Sequence, residues 1–70
     1  MFGTRMRTIR KSQKVSQTKL AKALGINRQT VISWETNRTL PKASQISRLC
    51  KILRVSSDYL LGLCDHIVHI

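Results

Sequence analysis

The sequence predicts an all-α fold of five short helices, and three observations carry that prediction. Apolar residues recur at helical spacing along most of the chain, and a glycine or a capping side chain interrupts the spacing at regular intervals. One Trp, one Tyr and one Phe in 70 residues imply an aliphatic core, which helices suit. The hydrophobic fraction of 41% is adequate for such a core, although the length is near the lower size at which one core suffices without staples. No internal repeat, low-complexity tract or Gly/Ser linker divides the chain. Residues 1–62 are therefore expected to form one domain, and residues 63–70 a C-terminal tail.

Residues 1–4 read as a frayed start, with Phe2 free to pack or to be disordered. Residues 5–13 follow as a first helix, with Met6 and Ile9 inward and Arg7, Arg10 and Lys11 around them. Lys14 and Val15 connect it to Ser16, an N-cap for a second helix over Gln17–Leu24. Its inward set is Leu20, Leu24 and the small Ala21, where a neighbouring helix can come close. A capping box would place Glu or Gln at position 19, but Lys19 stands there and favours positive charge over stability.

Gly25 permits the left-handed backbone that stops a helix. Asn27 can then cap a third helix, Arg28–Glu35. Val31 and Trp34 face inward on it, which leaves Arg28, Gln29, Ile32, Ser33 and Thr36 outward. The stretch TNRTLPKA reads as an exposed basic loop in which Asn37 can take a left-handed position. Pro41 leads into a fourth helix, Ala43–Leu53, with the stripe Ile46, Leu49, Cys50 and Leu53 widened by Ile52. Lys42 stands where a capping residue is usual. Val55 enters a turn, Ser56 caps a fifth helix over residues 57–61, Asp58 complements its dipole and Gly62 ends it. In the tail LCDHIVHI no period survives, so strand, helical extension and disorder all stay open.

Thirteen Lys and Arg against Glu35, Asp58 and Asp65 give a formal charge of +10. That excess favours a polyanionic partner. No segment approaches the ~18 consecutive apolar residues of a membrane span, and the basic first ten residues lack the apolar run of a signal peptide. Two cysteines make no disulfide framework, so a reducing cytoplasm is the expected location and Cys50, on an apolar face, an inert core residue. Three acids and two histidines supply no spaced carboxylate pair and no nucleophile with a nearby base, so no enzyme is expected. Cys64, His66 and His69 have metal-ligand chemistry, but only Cys50 remains as a fourth ligand. No metal and no cofactor are expected.

A plain helical core would satisfy the apolar spacing of residues 17–36 by itself. It would have no need to present Arg28, Gln29 and Ser33 together on an exposed face, so the pattern points to readout of double-stranded DNA. The stretch SQTKLAKALGINRQTVISWETNR, preceded by IRK and followed by LP and KILRVSSDYLLG, resembles the phage repressor and Cro type of helix-turn-helix domain, the xenobiotic-response-element family. The resemblance covers about residues 6–62. It implies a five-helix, lambda-repressor-like DNA-binding domain that acts as a homodimer on a palindromic operator, with the third helix in the major groove.

Residue by residue, the resemblance makes Gln17 a phosphate contact that also braces the first residue of the third helix, here Arg28. That residue is Gln in the best-known members, and the change shifts the expected readout from adenine toward guanine O6 and N7. Gln29 can pair with adenine or guanine, Ile32 suits a thymine methyl and Ser33 is a short hydrogen bonder. Glu35 matches an internal ion-pair partner for Arg10, which is also a candidate phosphate ligand. Asn27, Thr36, Asn37, Arg38 and Lys42 complete the expected phosphate set, with Thr36-Asn37 replacing the family's common Asn-Gly. Apolar residues beyond the needs of one small core mark Tyr59, Leu60, Leu61, Ile67, Val68 and Ile70 as the expected dimer contact. The expected function is a homodimeric transcriptional regulator, a repressor. Two alternatives stay open: an antitoxin-type autorepressor that also holds a toxin, and a protein-interaction adaptor whose charge is incidental. A toxin or the transcription machinery would be the protein partner.

Overall fold

The structure, a computed structural model, describes residues 2–62 as five helices: α1 Phe2–Ser12, α2 Gln17–Leu24, α3 Arg28–Glu35, α4 Ala43–Leu53 and α5 Ser57–Leu60. No strand occurs among the described residues. The α3 helix packs on both α2 and α1, α4 closes the far side of α2, and α5 bridges α1 and α4. Met6, Ile9, Leu20, Val31, Leu49, Leu53, Val55 and Leu60 fill the centre, with Trp34 beside them. Val15, Ile26, Ile46 and Ile52 seal its edges.

The breaks between helices follow from cap chemistry. Ser16 Oγ accepts from the Lys19 backbone N–H at 3.0 Å. Asn27 Oδ1 accepts from the Thr30 N–H at 2.9 Å, and Ser56 Oγ from the Tyr59 N–H at 3.3 Å. Each satisfies a donor that has no partner inside its own helix. Gly25 adopts φ 71° and returns its N–H to the Lys22 carbonyl, ending α2 so that α3 can turn back across it. Asn37 takes the left-handed position expected of it, at φ 61°. Lys42 offers no acceptor, and α4 is closed from the other side: Gln45 Oε1 accepts the Lys42 backbone N–H at 2.8 Å.

Two expectations need correction. The first helix begins at Phe2 and ends at Ser12, rather than spanning residues 5–13 behind a frayed start. Phe2 is buried, and Gly3 lies against the end of α3, where a Cβ would stand 2.4 Å from the Trp34 carbonyl oxygen and 2.5 Å from that of Glu35. The Gly3 N–H donates to Asn37 Oδ1 at 3.0 Å. Tertiary contact thus extends the helix through a residue whose intrinsic propensity opposes it.

The second correction concerns the expected dimer contact. Tyr59 and Leu60 are buried in the domain's own core, so they are not a free surface. Arg5 Nη1 donates to the Tyr59 carbonyl at 3.0 Å while its guanidinium sits 4.7 Å from the ring centroid, a cation–π contact tying α5 to α1. Leu61 is 49% exposed and Leu40, in the loop before α4, is 71% exposed. Ile67, Val68 and Ile70 lie outside the described residues.

The close approach at Gly3 makes Gly3→Ala a sharp test of the corrected α1. The added methyl must push backbone apart, so stability should fall by ~1–3 kcal/mol, seen as a lower urea midpoint and melting temperature. A variant as stable as the parent would place α1 elsewhere.

Candidate nucleic-acid interface

The outward face of α3 is built as its spacing requires. Val31, Trp34 and Glu35 are buried, Arg28 and Gln29 at its first turn are exposed, and Ile32 and Ser33 are half-buried one turn on. Asn27 fixes the start of this helix. Thr36 ends the face, with its hydroxyl donating to the Ile32 carbonyl at 2.8 Å. Four side chains able to meet base edges therefore project from one rigid element.

Beneath that face runs a connected set of polar side chains. Arg10 Nε donates to Glu35 Oε2 at 2.6 Å and Nη2 to Oε1 at 3.2 Å, while Nη1 donates to the Val15 carbonyl at 2.7 Å. The two side chains are only 8% and 3% exposed. Gln17 Nε2 donates to the same Glu35 Oε1 at 3.1 Å, and Gln17 Oε1 accepts from Arg28 Nε at 3.4 Å. Chemistry dictates the orientation of this amide, because a carboxylate can only accept and a guanidinium can only donate. The bracing of Arg28 by Gln17 and the internal pairing of Glu35 with Arg10 are both realised.

Of the two roles expected for Arg10, phosphate ligand and ion-pair partner, the geometry corrects the first. Its three side-chain nitrogens all donate within the chain and the side chain is buried, which leaves no open donor face for a phosphate. Asn27 Oδ1 is committed to the cap, where it also takes the Thr30 hydroxyl at 3.0 Å, and Asn37 Oδ1 is committed to Gly3. Only their amide nitrogens face outward chemistry. Arg38 and Lys42 are exposed in the loop that follows α3.

A cleft of about 560 Å³ lies beside this network, lined by Arg7, Arg10 and Lys11 of α1, Ser16 ahead of α2, Gln17 and Thr18 of α2, and Arg28, Ile32, Glu35 and Thr36. Arg7, Lys11, Ser16 and Thr18 are absent from the set expected from sequence. The signal for two of them was there, since Arg7 and Lys11 are four residues apart and so share a helix face. Among the described residues no group of His, Cys, Asp or Glu side chains could hold a metal ion. Cys64, His66 and His69 lie outside those residues. Burial pushes the Cys50 thiol above its usual range, which suits the inert role expected of it. No helix among the described residues is long and apolar enough to cross a membrane.

Comparison with known proteins agrees with this geometry. A family model described as Helix-turn-helix matches residues 6–60. Repressor protein C2 of Salmonella phage P22 is 36% identical over 61 residues, covering 87% of this chain and 28% of that protein. An SPbeta prophage-derived HTH-type transcriptional regulator of Bacillus subtilis, YonR, is 39% identical over 61 residues, covering 87% of this chain and 56% of its own length. The chain thus spans from about a quarter to about half of these relatives. Among solved structures, the P22 c2 repressor in complex with a synthetic operator superposes with a TM-score of 0.82 at 35% identity, covering 86% of this chain and 91% of that one. SinR, the master regulator for biofilm formation of Bacillus subtilis, in complex with DNA, gives 0.79 at 31% identity, covering 87% and 98%.

The buried pair supplies a stability test. Glu35→Ala strands the Arg10 guanidinium without its counter-charge, and urea unfolding should show a loss of ~3–5 kcal/mol. Replacing both partners together, Arg10→Met with Glu35→Leu, should cost markedly less than the Glu35→Ala single change. A double variant as damaged as the sum of its parts would contradict the pairing.

Proposed function

We propose that this chain, a member of the helix-turn-helix family of the phage repressor and Cro type, regulates transcription by binding double-stranded DNA, and that it does so as a homodimeric repressor on a palindromic operator in the cytoplasm. The observation that supports this most is the outward face of α3: Arg28, Gln29, Ile32 and Ser33 together on a helix whose opposite side is locked into the core. Each helix enters the major groove of one half-site, and the half-sites lie about one helical turn apart, ~34 Å. The P22 repressor was solved on an operator and SinR on DNA, which supports the partner class for a chain of this fold.

Within that face the labour divides by chemistry. Arg28 offers a bidentate guanidinium to guanine O6 and N7, Gln29 an amide to adenine or guanine, and Ile32 an apolar surface to a thymine methyl. Ser33 adds a short hydrogen bond. Gln17, Thr36, Arg38, Lys42 and the amide groups of Asn27 and Asn37 meet the backbone, which positions the helix without specifying sequence. Dimerisation multiplies the limited contact area of one module, and Leu61 with Ile67, Val68 and Ile70 carries that contact.

Two measurements test the reading. After binding-site selection from random duplexes, Arg28→Ala should lose ~1–3 kcal/mol on the preferred site and relax the preference at one base pair per half-site. Arg38→Ala should weaken all sequences alike, and a reversed pattern would exchange their roles. Sedimentation of the full chain should give a dimer that Leu61→Glu weakens; a monomer bound to a single half-site would overturn the dimeric part. Failure to retain any duplex at low salt would favour the adaptor.

A further inference from the structure

We propose that the cleft between α1 and the α2–α3 pair seats one DNA backbone phosphate, gripped from the α1 side by Arg7 and Lys11; the proposal rests on the DNA-binding reading and extends its contact surface to α1. The cleft is lined by cations from two directions, Arg7 and Lys11 on one side and Arg28 on the other. Arg7, Arg10 and Lys11 stand at i, i+3 and i+4 and so share one face of α1, a helix that contains no acidic residue. Like charges at that spacing repel and weaken a helix. The arrangement makes sense when an outside anion relieves the repulsion.

Pairing inside the cleft separates these cations into two kinds. Arg10 is buried and satisfied by Glu35 and the Val15 carbonyl. Arg7 and Lys11 are exposed, and neither has an acidic partner among the described residues. Glu35, the one acid in the lining, offers little to repel an anion. Its oxygens take Arg10 Nε and Nη2 and Gln17 Nε2, and its side chain is 3% exposed. The net field facing the opening is therefore positive, while the hydroxyls of Ser16 and Thr18 on the same lining can donate to phosphate oxygens.

The position gives the seat a consequence for specificity. Arg28 belongs both to the cleft wall and to the first turn of α3. A phosphate held here lies beside the first base-reading side chain, so it sets the register at which Arg28 meets the base edge.

A salt titration of binding to a mixed-sequence duplex tests this with the full chain. The Arg7→Gln/Lys11→Gln variant is compared with Arg48→Gln/Lys51→Gln, which removes the same two charges from α4, outside the cleft. Far-UV circular dichroism checks that each stays folded. The α1 pair should lower the slope of log binding constant against log salt by about 0.9, the value for one neutralised phosphate, and the α4 pair should leave it unchanged. Equal slopes for the two pairs would overturn the phosphate seat while leaving DNA binding intact. A parent chain that binds no duplex would overturn both.

Discussion

The ion pair between Arg10 and Glu35 is the interaction on which the rest of this domain depends. It joins the last turn of α1 to the last turn of α3 through two hydrogen bonds, and the third arm of the guanidinium reaches the Val15 carbonyl in the α1–α2 connection. A buried pair of this kind adds little net stability compared with an apolar replacement, because both ions give up water. Its value is directional. A guanidinium fork accepts one orientation of a carboxylate, so the pair sets the angle at which α3 sits on the scaffold.

That angle is passed to the surface by one amide. Gln17 can satisfy Glu35 only with its nitrogen and Arg28 only with its oxygen. The orientation of a buried carboxylate thereby biases the orientation of the first exposed side chain on the reading face. Electrostatics and geometry then act together. The acid is neutralised internally, and what α1, the start of α2 and the first turn of α3 show to a ligand is Arg7, Lys11 and Arg28.

Most of this architecture was legible in the sequence where a short-range rule decides the outcome. Ser16, Asn27 and Ser56 cap because their side chains reach an N–H three residues on, and Gly25 turns because it lacks a Cβ. The outward face of α3 followed from 3.6 residues per turn. What escaped was decided by contacts distant in sequence. Gly3 opposes a helix by propensity, and only the surface of α3 beside it explains why α1 continues through it. Tyr59 and Leu60 looked like surplus apolar residues until α1 and α4 were seen to enclose them. Arg7 and Lys11 looked like generic positive charge, and became a wall once α2 and α3 supplied the other side of a cleft.

The central claim is that Gln17 transmits the order of the buried pair to Arg28, and a double-mutant cycle in DNA affinity tests it most directly. Binding to the selected duplex would be measured for the parent, Gln17→Ala, Arg28→Ala and the double variant. Coupling of at least ~0.5 kcal/mol between the two positions is the predicted result. Strictly additive losses would contradict the account, because Arg28 would then take its orientation from the DNA alone.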